Sequence, residues 1–146
     1  MEHAEYVYTV GMNETEIDEL LRTSQHGVLA LADANEAYAV PLSYHYDGER
    51  FLLRMSEHGP ESEKRRFLET TDTATFVCYA GGTSESWSIH VRGPVRRWDQ
   101  DVDEATLNEW FPPFRLFDES IDEVEFVLYE LEMETVIGRK TAGSAP

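Results

Sequence analysis

The most basic point in this chain is the triplet Lys64-Arg65-Arg66, set in a molecule with 29 acidic residues against 12 basic ones and a net charge of −17. Such a cluster either holds an anion through charge-assisted hydrogen bonds or offsets the dipole at a helix end. Lys64 stands out by type, because the chain has only two lysines, Lys64 and Lys140, beside ten arginines. The other groups able to do chemistry are scattered. His3, His26, His45, His58 and His90 include no pair four residues apart, so no helical metal-binding pair arises and no metal site is expected. Cys78 is the single cysteine, which excludes an internal disulfide and a multi-cysteine zinc site. Its apolar run, Ala74 to Tyr79, marks it as a buried small hydrophobe rather than a reactive thiol. No GxxxxGK(S/T) phosphate loop, no GxGxxG after a strand and no GxSxG elbow is present. The carboxylates are too many to sort into an acid–base pair, and no catalytic residue is identified. A chain with no nucleophile, metal set or acid–base pair of its own is what a reaction carried by a bound cofactor would leave.

The charge narrows the partners. A −17 surface repels phosphate backbones and anionic membranes, so neither nucleic acid nor membrane is an expected partner. No apolar run approaches the roughly 20 residues that span a bilayer. The start, Met1-Glu2-His3-Ala4-Glu5, is acidic and unlike a secretory signal, so a cytoplasmic location is expected. Acidity on a chain this rich in aromatic residues fits a folded protein of a salt-rich cytoplasm, where counterions screen the repulsion.

The elements that must position these residues read as follows. Length suits one domain, 1–146, with residues 1–12 as an N-terminal extension and 140–146 as a flexible tail. Asn13 caps a helix over about Glu14 to Thr23, with Glu16 completing a capping box. Period-two alternation then predicts strands over His26 to Ala32, Tyr38 to Tyr46, Phe51 to Met55, Thr73 to Ala80, a long one over Ser86 to Trp98, and a last one over Val124 to Val136. Asp47-Gly48 closes a tight hairpin. Pro41 has no N–H to give a ladder, so its strand must be bulged or at an edge there. Short helices are predicted over about Glu61 to Leu68 and Asp103 to Phe111, and Gly138-Arg139-Lys140 reads as the start of a disordered tail. Together these predict a mainly β fold, a six-stranded antiparallel barrel with short helices at its margins.

The runs Gly27-Val28-Leu29-Ala30-Leu31, Tyr38 to Gly48 and Phe51-Leu52-Leu53-Arg54-Met55-Ser56, then Lys64 and Leu68, Trp87 to Gly93, and Val136-Ile137-Gly138-Arg139 follow one another in an order that resembles the FMN-binding split-barrel family related to pyridoxamine 5′-phosphate oxidase. The likeness spans nearly the whole chain. It implies a Greek-key split barrel, FMN as cofactor, and a homodimer with the cofactor groove between its subunits.

The resemblance also implies roles. Val40, Pro41, Leu42 and Ser43 would meet the flavin ring and ribityl chain, and Met55 and Ser56 the ribityl and phosphate. Lys64 would bind the phosphate. Trp87 and Ser88 would approach the flavin, with Trp87 otherwise serving as core, and Arg139 would complete the cofactor contacts. The implied activity is FMN-dependent oxidation or reduction of a small organic molecule, with NADH or NADPH as reductant. The alternatives are a non-catalytic flavin-binding module and a deazaflavin-dependent reductase on the same barrel. Trp110, Phe111, Phe114 and Phe117 are expected at the dimer interface, over the groove, or packed on their own barrel.

Overall fold

Alternation of apolar and polar residues dominates the chain, and the computed structural model, which describes residues 9–57, 63–82, 85–111 and 125–141, is accordingly mainly β. The strands are β1 (Thr9–Gly11), β2 (His26–Asp33), β3 (Glu36–Tyr46), β4 (Phe51–Glu57), β5 (Ala74–Ala80), β6 (Trp87–Gly93), β7 (Val95–Arg97), β8 (Glu125–Leu131) and β9 (Thr135–Thr141). Among the described residues three short helices intervene, α1 (Glu14–Thr23), α2 (Glu63–Thr70) and α3 (Glu104–Trp110). The strands form one antiparallel sheet in the order β1-β9-β6-β5-β2-β3-β4-β8-β7.

Among the described residues there are nine strands, not six, and the reason is local. The predicted strand over Ser86 to Trp98 breaks at Gly93-Pro94 into β6 and β7. The predicted last strand breaks at residues 132–134 into β8 and β9. Pairing runs Arg92↔Thr135 before the break and Val95↔Leu131 after it, so the register slips by one residue, the signature of a bulge. Glu132 N–H donates to the Pro94 carbonyl and Glu134 N–H to the Arg92 carbonyl across it. The same bent ribbon thus stands at both ends of the strand order, β6–β9 at one and β7–β8 at the other, and this curls the sheet into a half-barrel.

Two expectations about the ends are corrected. Gly138, Arg139 and Lys140 belong to β9, paired with β6 from Trp87↔Lys140 to Arg92↔Thr135, and do not begin a tail. Residues 9–11, placed in the extension, form β1 against β9, with Thr9 opposite Thr141. The β-branched run Thr135-Val136-Ile137 explains why this segment extends the sheet.

Local signals hold closely. Asn13 Oδ1 accepts from Glu16 N–H, the capping box is complete, and α1 runs Glu14–Thr23. In the β3–β4 turn Asp47 Oδ1 accepts from the N–H groups of Glu49 and Arg50 at 2.8 Å, and Gly48 takes φ 98°. The core is the inner face of the sheet: Leu29, Leu31, Leu42, Tyr44, Phe51, Leu53, Met55, Phe76, Cys78, Ile89 and Val91, with Phe67 and Leu68 of α2 packed into it. Burial pushes the Cys78 thiol up to about 12, which keeps it protonated and inert. Among the described residues no helix is long and apolar enough to cross a membrane.

Candidate functional site

The predicted flavin strand is β3, and its two edges differ. Tyr44 N–H donates to the Gln25 carbonyl at 3.0 Å, so at Tyr44 the backbone groups point toward β2. Along a strand these groups alternate sides. Those of Leu42 and Val40 therefore also face β2, while those of Ser43, Pro41 and Ala39 face the other way, toward β4. The β3–β4 ladder covers only Ser43↔Arg54 to Tyr46↔Phe51. From Glu36 to Leu42 that edge of β3 has no β-strand partner among the described residues, and β4 turns instead to β8, from Phe51↔Leu131 to Glu57↔Glu125. Pro41 thus sits where its missing N–H removes no ladder bond, as expected of a proline on an edge. A gap opens between β3 and the end of β4, lined on the β3 side by the Ala39 backbone groups and the Pro41 carbonyl.

Side chains sort by the same alternation. Pro41 and Ser43 face outward, and Ser43 is the buried polar residue of this region at 8% exposure. Leu42 lies in the core and Val40 packs against it. Met55 is fully buried in the core, so its side chain cannot line the gap and only its backbone can. Ser56 pairs with Phe126 at the end of β4.

Lys64 stands half-buried in the first turn of α2, three and four residues before the core residues Phe67 and Leu68. Phe67 stacks on Tyr38 of β3, ring centroids 5.4 Å apart, which holds α2 against that strand. Arg66 pairs with Glu36 at 3.1 Å and Arg65 with Glu69 at 3.4 Å.

The remaining predicted residues lie elsewhere. Trp87 packs against the core, as its alternative reading expected. Ser88 and Arg139 are cross-strand neighbours on the outer face of β6 and β9. From Ser88 the row continues to Tyr79 on β5, while Ser43 stands opposite His26 on β2. Three strand spacings of about 4.8 Å separate β6 from β3, or about 14 Å along the sheet. One chain therefore holds two separate groups, Pro41-Ser43-Lys64 and Ser88-Arg139.

Three residues were missed. Arg54 faces outward directly across from Ser43, and its guanidinium donates to the Phe111 carbonyl at 3.4 Å. Burial pulls its pKa down from the usual arginine value. The available signal was a charge at an outward position of an otherwise apolar strand. His45 follows Ser43 on that face and stacks on Trp110 at 4.6 Å, with burial lowering its pKa against the opposing pull of Asp47 and Glu109. Trp110 and the buried Phe111 thus pack on their own sheet, while Phe114 and Phe117 lie outside the described residues. The third is Tyr79, 66% exposed beside Ser88. A cavity of about 410 Å³ between Glu49, Arg96, Glu130 and Met133 contains none of the predicted residues. Among the described residues no group of three or more His, Cys, Asp or Glu could hold a metal ion.

Three solved structures share the fold. A FAD-binding protein from Mesorhizobium loti superposes with a TM-score of 0.67 at 18% identity, over 92% of this chain and 99% of its own. The FAD binding protein from Mycobacterium smegmatis gives 0.61 at 18% identity, over 90% and 97%. The FAD and heme binding protein from the same organism gives 0.66 at 18% identity, over 94% and 75%. No match was found among curated proteins. The family model described as pyridoxamine 5′-phosphate oxidase matches residues 13–140, from the cap of α1 to the penultimate residue of β9. With the curled antiparallel sheet, that match makes the chain a member of the pyridoxamine 5′-phosphate oxidase-like family.

Proposed function

We propose that the chain is an FMN-dependent oxidoreductase of the split-barrel type, working as a homodimer on a small organic molecule with NADH or NADPH as reductant. The observation that carries this reading is the open edge of β3 at Ala39 and Pro41, beside the helix that bears Lys64. Backbone groups on such an edge suit the hydrogen-bonding rim of an isoalloxazine ring, and a lysine at the start of α2 suits a phosphate. When bound, the flavin would supply the two-electron chemistry. The protein's part is to hold the ring against the Pro41–Ser43 edge, to anchor the phosphate at Lys64 and to bury the reacting face.

The outer face supports the dimer. The outward positions of β2, β5, β6 and β9, and of β3 from Ala37 to His45, include no Asp or Glu, in a chain with 29 of them. Val28, Ala30, Ala39, Pro41 and Val77 make its centre small and apolar. Two strongly negative bodies can meet at a face free of carboxylates at the least electrostatic cost. A second copy seated there would supply the Ser88–Arg139 group that one chain holds too far from its own Pro41 and Ser43.

Purified protein should be yellow, and NADH or NADPH should bleach it without oxygen. A bound flavin that neither reduces would mark a passive binder. Replacing Lys64 by Ala should weaken FMN binding by about 1.5–3 kcal/mol, roughly ten- to a hundredfold. Fluorescence quenching at fixed salt measures it, and unchanged affinity removes Lys64 from the site.

A further inference from the structure

Past Ser43 the outer face of β3 and β4 is covered. Leu52 is buried although alternation with the core residues Phe51 and Leu53 turns it outward, directly across from His45. The end of α3 lies over this spot. Trp110 stacks on His45 with ring centroids 4.6 Å apart and planes 6° from parallel, and Phe111 meets the same imidazole edge-on at 6.4 Å. From β4 the Arg54 guanidinium stands 6.0 Å from the Phe111 ring and donates to the Phe111 carbonyl. Phe111 is 1% exposed. α3 depends on this docking: it has 7 residues, where an isolated helix needs about 12–15 to persist in water. Asp103 caps its start by accepting from Thr106 N–H at 2.7 Å, and its other end rests on the His45 stack and the Arg54 bond.

His45 is the member of this clasp that titrates near neutrality. Burial holds its pKa below the ordinary value, and Asp47 in the β3–β4 turn and Glu109 on α3 pull the other way without overcoming it. The Trp110 face attracts a cation, and the Arg54 guanidinium, diagonal to His45 across the ladder, repels one. Farther out stand Glu130 of β8, opposite Leu52, and Arg22 of α1, which donates to the Asp47 carbonyl at 3.2 Å.

We propose that α3 is an acid-released strap: with His45 neutral, Trp110 and Phe111 lie shut over the outer face of β3 and β4, and a proton taken up by His45 lets them lift away. Opening bares Leu52 and the Arg54 guanidinium beside Ser43. A histidine whose pKa is lower docked than free binds its proton more readily with the strap open. Docking is therefore strongest above the ordinary histidine value, about 6.5, and weakens as the pH falls below it.

NMR titration of the whole chain from about pH 8 to pH 5, at one fixed KCl concentration, measures the pKa of His45. Amide exchange, normalised at each pH to an unstructured peptide, reads the protection of Leu107 and Phe111, whose N–H groups donate to the Asp103 and Leu107 carbonyls. Trp110→Ala supplies the free reference, in which His45 should titrate near about 6.5. In the wild type it should titrate lower, and protection of both amides should fall with the pH by a factor approaching the ratio of the two acid constants. His45→Phe keeps a ring on Trp110 and has no proton to gain, so its α3 should stay protected to about pH 5. Tyr44 N–H, bonded to the Gln25 carbonyl within the sheet, should keep its protection in all three proteins and so verifies the fold. The wild-type and His45→Phe arms stand without the Trp110 variant. Wild-type His45 titrating at or above the free value, α3 protection that does not change with pH, or His45→Phe losing protection as the wild type does, each overturns the strap.

Discussion

Gly93→Ala should lower the melting temperature by about 10 °C, because the bulge that curls the sheet has no room for a side chain. A Cβ at Gly93 would collide with the Glu132 carbonyl, standing 2.9 Å from its carbon and 3.3 Å from Glu134 N. The obstacle is backbone, and that backbone is tied down by the bonds from Glu132 to Pro94 and from Glu134 to Arg92. Neither strand can yield without breaking the slip in register. Overpacking of this kind costs about 3 kcal/mol at the upper end of its usual range, which for a chain of this length is roughly 6–12 °C. A thermal melt followed by far-UV circular dichroism measures it. Gly11→Ala is the control, since a Cβ at Gly11 meets nothing within 4 Å. If Gly93→Ala melts with the wild type, the bulge is not the rigid corner described above.

Raising KCl from about 0.1 M to 2 M should raise the melting temperature, the flavin occupancy and the dimer fraction together. Among the described residues the acidic ones are absent from one broad face and crowd the rest of the surface. Screening length falls from about 10 Å at 0.1 M to about 3 Å at 1 M, so repulsion between neighbouring carboxylates should fade across that range. Association gains as well, because each partner brings −17 to the encounter. A cofactor that binds only the assembled, folded form follows both. Flavin fluorescence during melting, with light scattering in the same series, reads all three. KCl is the cleaner probe, since sulfate also stabilises by exclusion from the surface. A melting temperature that is flat or falls with salt would mean that the acidity is not an adaptation to salt.

Legibility in the sequence depended on how local the cause was. The capping box of Asn13 and Glu16 and the Asp47-Gly48 turn involve residues within a few positions, and they stand where the sequence puts them. The alternation that predicted a strand over Tyr38 to Tyr46 matches β3, Glu36–Tyr46. The strand count failed at Gly93-Pro94, a breaker inside the predicted strand, and at residues 132–134 opposite it, where the register slips by one residue. β9 was read as tail for a related reason: Gly138-Arg139-Lys140 looks like a loop until β6 and β1 take its two edges. In the site, Pro41 was legible as an edge residue because proline's missing N–H is a property of the residue itself. Met55 could have been assigned to the core from its two-residue spacing with Phe51 and Leu53, and the family likeness overrode that alternation. Tyr79 was invisible because it shares an apolar run with Cys78, and only the pairing with Ser88 shows that it faces solvent.

The bent strand formed by β8 and β9 also bears on the order in which the molecule assembles. β2 with β3, β3 with β4, and β5 with β6 are neighbours in sequence and can pair as hairpins. β8 pairs with β4 and β7, and β9 with β6 and β1, all distant along the chain. Loop-closure entropy opposes such contacts until the rest of the sheet is in place. The 125–141 segment should therefore be the last to zip and the first to open. Native-state hydrogen exchange would then find the amides of β9 and β1 opening in one sub-global step, ahead of those in the β2–β3 hairpin. Arg139 lies on that segment, so the chain would lose this side of its outer face while most of its core was still closed.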